Sequence, residues 1–100
     1  MPRERRLPPI HPGEILLEDL RDMGVSINRL ARDLRVPVNR ISAIVNGNRS
    51  ITADTAMRLA RYFGTSSQYW MSLQTMYDLE VAAQSLASRI AREVLPLHAA

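Results

Sequence analysis

Residues 26–47 read SINRLARDLRVPVNRISAIVNG, and the spacing of the apolar residues in this stretch decides the fold. Ile27, Leu30, Ala31 and Leu34 fall at i, i+3, i+4 and i+7, the period of one helix face, and Ser26 is a good N-cap. A helix is therefore predicted over 27–34. Arg35-Val36-Pro37 interrupts it, because a proline disfavours helical geometry in the residue before it yet is tolerated as the first residue of a new helix. The next helix is predicted over 37–46, with Ile41, Ile44 and Val45 on its inner side and Asn46-Gly47-Asn48 as the turn that ends it. Two short helices, a three-residue connection and a polar outer face on the second helix make a helix-turn-helix. Ala31 sits where the two helices approach most closely, and a bulky residue there would force them apart.

The outward side of the second helix carries Asn39, Ala43 and Asn46, flanked by Val38, Arg40 and Ser42. This is the chemistry of major-groove readout: Asn pairs with the adenine edge, Arg with guanine, and Val or Ala meets a thymine methyl. Phosphates would be held by Asn28 and Arg29, at a helix start whose free N–H groups also favour anions. Arg35, Asn48 and Arg49 would hold them from the turns bracketing the reading helix. The competing reading, an ordinary amphipathic surface helix, explains the period but not the local charge.

Outward from this pair the chain stays helical. Pro12 suits a first helical position, Glu14 favours the positive end of the dipole, and Ile15, Leu16, Leu20 and Met23 form a stripe that Gly24 closes, giving a helix over 12–23. Thr52 caps a fourth helix that buries Ala56, Leu59, Ala60 and Phe63 and stops at Gly64. A fifth begins near Thr65 or Ser66, with Gln68 as a capping-box partner for Thr65, and runs to about Gln84 on the stripe of Tyr69, Leu73, Met76 and Tyr77. Residues 85–95 keep the helical period through Ala87, Ile90, Ala91 and Val94, either extending the fifth helix or forming a sixth. The expected architecture is all-α. Residues 1–11 form a flexible arm, 12–84 a DNA-binding domain, and 85–100 a helical extension suited to dimerisation.

Composition narrows the function. All 13 basic residues of the 100 are arginine, whose planar fork suits phosphates and guanine edges better than the point charge of lysine. Residues 26–63 hold seven of them (29, 32, 35, 40, 49, 58, 61) against Asp33 and Asp54, whereas residues 10–25 set Glu14, Glu18, Asp19 and Asp22 against Arg21. A basic middle on a nearly balanced chain points to a polyanion-binding surface. Arg58 and Arg61 themselves read as solvated, with a carboxylate of the first or fifth helix as a partner for Arg61. The absence of cysteine excludes disulfides and thiolate metal sites. There is no apolar run of membrane-spanning length, and the Arg-rich start meets prolines instead of a signal core, so no membrane role and a cytoplasmic location are expected. His11 and His98 stand in no metal-ligand spacing, no phosphate loop occurs, and the serines read as caps, so neither an enzyme nor a cofactor is expected.

His11-Pro12-Gly13-Glu14, the 27–46 pair, Asn46-Gly47-Asn48-Arg49-Ser50, Thr52-Ala53-Asp54-Thr55-Ala56, Arg58-Leu59-Ala60, Phe63-Gly64-Thr65 and Trp70 with Leu73-Gln74 and Tyr77-Asp78-Leu79 resemble HigA-type antitoxins. These are also called virulence-associated protein I and lie within the Cro/repressor-like, XRE-type superfamily. The likeness spans about residues 10–80. It implies a homodimeric repressor that binds its own operator and neutralises a HigB-type toxin, a ribosome-dependent mRNA endonuclease. Two departures stand out. Many relatives place Gly where this chain has Arg35, and Ser or Thr where it has Pro37; a non-glycine forced left-handed is strained by roughly 1 kcal/mol, so a differently shaped turn is expected. Ala43 replaces a longer polar side chain, which moves the burden of reading to Asn39, Arg40 and Ser42. Trp70, Leu73, Tyr77 and Ile90 are expected at the dimer interface. The alternatives are a stand-alone repressor without a toxin, and a protein-sequestering module with secondary DNA binding.

Overall fold

A computed structural model describes residues 7–98. It contains five helices: α1 Pro12–Met23, α2 Ile27–Leu34, α3 Val38–Val45, α4 Ala53–Phe63 and α5 Ser67–Glu93. No strand occurs among the described residues. The core joins Leu16 and Leu20 of α1, Leu30, Ala31 and Leu34 of α2, Ile41, Ile44 and Val45 of α3, Ile51, then Ala56, Leu59 and Ala60 of α4, with Trp70 of α5 closing it. The apolar periods of α1 to α4 are thus spent on one shared interior, to which α5 adds only its first turns.

α1 is fastened at its start by a reciprocal cap. His11 Nδ1 accepts from the Gly13 N–H at 2.9 Å, while the Glu14 carboxylate accepts from the His11 N–H at 3.2 Å. The flexible arm expected for residues 1–11 is therefore corrected at its inner end, since His11 is 7% exposed and stacks edge-on against Tyr77 at 4.8 Å. Residues 1–6 of that arm lie outside the described residues. Gly13 lies where α1 crosses the end of α3, and a Cβ there would overlap the Ile44 carbonyl oxygen and come within 2.9 Å of Val45 Cα. Only glycine permits that crossing.

Arg35 corrects the expectation about the turn. Its φ of 60° and ψ of 45° are left-handed, and the N–H groups of Arg35 and Val36 cap α2 by donating to the Arg32 and Ala31 carbonyls at 3.1 and 3.0 Å. The turn keeps the shape a glycine would give it, and arginine bears the strain. Pro37 is the N-cap of α3 instead of its first helical residue. Ser66, not Thr65, caps α5, accepting from the Tyr69 N–H at 3.0 Å. Thr65 instead receives the indole N–H of Trp70 at 2.9 Å, so the Thr65–Gln68 capping box does not form. α5 runs unbroken through residue 93, which makes residues 85–93 a continuation of the fifth helix.

Candidate nucleic-acid interface

α3 is presented to solvent because Ile41, Ile44 and Val45 are consumed by the core. With 100° per residue, their opposite side carries Asn39 and Asn46, both exposed, while Ser42 and Ala43 are half-buried and Val38 is exposed at the entry. Arg40 stands at a right angle to the inward direction, at the flank of the helix. Its Nη1 donates to Asp54 Oδ2 at 2.7 Å, and its Nε is buried without a hydrogen-bond partner. The same Asp54 oxygen accepts from Arg58 Nε at 3.0 Å, and Arg58 Nη1 donates to the Leu34 carbonyl at 2.9 Å. Arg58 and Arg40 together hold the Asp54 carboxyl below the ordinary carboxylate range, the Arg58 hydrogen bond contributing most.

The cations expected on phosphates differ in their freedom. Arg35 and Arg49 are exposed, at the turns on either side of α3, and Asn48 is exposed beside Arg49. Arg29 is exposed but sits 3.5 Å from Asp33, an i,i+4 pair of small energetic weight. Asn28 is exposed at the start of α2, where the Ser26 hydroxyl already accepts from the Arg29 N–H at 3.0 Å. The α3–α4 loop carrying Asn48 and Arg49 is rigidly held. The Asn48 N–H donates to Ala43 at 2.8 Å, and the Ile51 N–H donates to the buried Gln74 amide oxygen at 2.7 Å. Gln74 Nε2 passes the bond on to Asp78 at 2.9 Å. The loop is thereby tied to α5.

The four residues expected at a dimer interface separate. Trp70 is corrected: it is 1% exposed, packed against Tyr69 and Phe63 with its N–H satisfied, and has no surface to give a second copy. Leu73 packs partly against the core and Tyr77 against His11, whereas Ile90 is 50% exposed. Ile90 shares an almost wholly apolar groove with Leu79, Ala82, Ala83, Leu86 and Ala87. The sequence reading missed Leu79 and Leu86, although both continue the stripe at helical spacing. It also missed the Asp54 junction, for which the i,i+4 spacing of Asp54 and Arg58 was the available signal.

No helix among the described residues is long and apolar enough to cross a membrane, and no cluster of three metal-ligating side chains occurs there. The helix-turn-helix family HTH_3 matches residues 17–70. A Coxiella burnetii addiction-module antidote protein of the HigA family is 50% identical, with a TM-score of 0.88 over 90% of this chain and 99% of that one. Pseudomonas aeruginosa antitoxin HigA, solved with the higBA promoter, is 45% identical, with a TM-score of 0.87 over 90% of this chain and 99% of that one. Virulence-associated protein I of Dichelobacter nodosus is 51% identical over 86 residues, 85% of this chain and 80% of that protein. Helix order, the exposed face of α3 and these relatives agree, and the chain belongs to the HigA-type antitoxin family of helix-turn-helix proteins.

Proposed function

We propose that the protein is the DNA-binding antitoxin of a HigBA-type module: a cytoplasmic repressor of its own operon that also neutralises a HigB-type mRNA-cleaving toxin. The observation that carries this reading is the exposed Asn39 and Asn46 face of α3, framed by the free cations Arg35 and Arg49. Asn39 and Asn46 read base edges by hydrogen bonding, Arg40 reaches a guanine from the flank, and Val38, Ser42 and Ala43 make close contact with the groove floor. Asn28, Arg29, Arg35, Asn48 and Arg49 hold the phosphates. No catalytic step, cofactor or metal enters this function.

Two copies join along the apolar outer half of α5, where Leu79, Leu86 and Ile90 stand exposed along one apolar groove. The dimer then places its α3 helices in half-sites about 34–36 Å apart. The test is a gel shift against the DNA upstream of the protein's own reading frame, titrated with salt. A discrete complex whose affinity falls steeply with salt is expected, since each neutralised phosphate releases counterions. Arg49→Ala should weaken operator and random DNA alike. Absence of a discrete low-salt complex would leave a sequestering module. Co-expression with a small basic neighbouring product separates an antitoxin, which forms a stable complex with it, from a stand-alone repressor.

A further inference from the structure

The Asp54 junction lies beside the reading helix and joins three elements: Arg40 of α3, Asp54 and Arg58 of α4, and the Leu34 carbonyl that ends α2. Arg40 would be a poor reader if free. A long arginine beside a duplex meets phosphates from many directions, and a phosphate contact carries no sequence information. Here, however, its side chain is only 24% exposed, Nη1 is spent on Asp54, and Nε is buried, so the donors left for DNA are those at the tip of the fork. We propose that Asp54 is a specificity-determining positioning residue: it confines the Arg40 guanidinium to one orientation beside α3 and withholds it from random phosphate contacts. The inference rests on the DNA-binding reading above.

Two features make this arrangement workable next to a polyanion. The carboxylate is matched by two guanidinium groups, so the junction keeps one net positive charge and does not repel the backbone. Arg58 is itself tied to the Leu34 carbonyl, which anchors Asp54 from behind while Arg40 faces forward. Ordering Arg40 in the free protein removes part of the side-chain entropy that specific binding would otherwise lose. The arginine on which readout depends is thereby set before DNA arrives.

The experiment compares the full-length protein with Asp54→Asn, Asp54→Glu, Arg40→Gln and the Arg40→Gln/Asp54→Asn double variant. Each is titrated against the operator and against a scrambled duplex of equal length, over a salt series. Asp54→Asn should lower the ratio of specific to random affinity by about tenfold, through a loss of operator affinity with random affinity held or raised. The salt slope on random DNA should steepen by about one phosphate equivalent. Asp54→Glu should restore most of the ratio, and Asp54→Asn should have no further effect once Arg40 is gone, because the two act as one unit. Arg58→Met, which loosens Asp54 without touching Arg40, should shift the ratio in the same direction by less, and it keeps the test decisive if Asp54→Asn does not fold. An unchanged ratio in a folded variant, or equal losses with and without Arg40, would overturn the positioning role. Failure of the unaltered protein to bind its upstream DNA at all would instead overturn the function on which it rests.

Discussion

Residues 11–74 and the outer part of α5, residues 75–93, carry apolar side chains at the same helical spacing yet live in different surroundings. Every buried side chain among the described residues lies in the first region, ending with Trp70 and Gln74, and none lies in the second. Leu59 is fully buried, whereas Leu79 is 65% exposed. Periodicity therefore announces that a helix has an apolar face. Whether that face is covered depends on which helices of the same chain reach it, and beyond Tyr77, which meets His11, no helix among the described residues encloses α5.

Gly13 puts the close packing of the first region to its hardest test. Gly13→Ala drives a methyl group into the Ile44 carbonyl, with main chain on both sides of the contact, and should cost about 3 kcal/mol, read as a lowered urea midpoint. A loss below about 0.5 kcal/mol would mean that α1 slides on α3 and the first region is not the close-packed body described here. In the outer region the expected result is the reverse. Leu86→Asp with Ile90→Asp should leave the circular-dichroism spectrum unchanged and weaken self-association roughly a hundredfold in sedimentation, because each copy buries charge where apolar surface met apolar surface. An unchanged dimer would move the interface away from this stripe.

A smaller effect sharpens the body itself. Burial lowers the pKa of His11 from 6.5, opposed by the carboxylates of Asp78 and Glu14 and by a hydrogen bond with the Arg49 backbone. The neutral ring is also the form that accepts the Gly13 N–H. The unfolded chain takes up a proton near pH 6.5 and the folded chain only lower, so this contribution is complete above pH 6.5. It is lost as pH falls through the folded value, with a slope of at most about 1.4 kcal/mol per pH unit. Urea midpoints between pH 7.5 and 5 should show the decline, and His11→Asn, which keeps a capping acceptor, should flatten it. An equal slope in that variant would assign the decline to other groups.

The helix count, the α2–α3 pair and its inner residues were legible because each rests on a local period with a cap or a breaker beside it. Ile27 through Val45 is the clearest case. What escaped was set by distant groups. Arg40 looked like a free reader until α4 placed Asp54 within 2.7 Å, fourteen residues away in sequence. Trp70 looked like an interface aromatic until Phe63 and Thr65 enclosed it. His11 falls within the expected loose arm because histidine is not a customary cap, although Glu14 stands three residues on as a capping partner. The shape of the turn at Arg35 was misjudged because local strain argued against it, while the packing of α2 on α3 and α4 fixed the path of the main chain.

The continuity of α5 has a geometrical consequence. A helix that passes from the body to its outer stripe without a break transmits rotation as a stiff shaft does. One residue inserted between Asp78 and Leu79, ahead of the whole stripe, would turn the stripe by about 100° about the shaft and advance it by about 1.5 Å. Two copies meeting along that stripe would then aim their reading helices at different sides of the duplex, with every side chain of α3 unaltered. In the dimer proposed above, the angular phase of operator recognition would thus be set by a segment outside the helix-turn-helix.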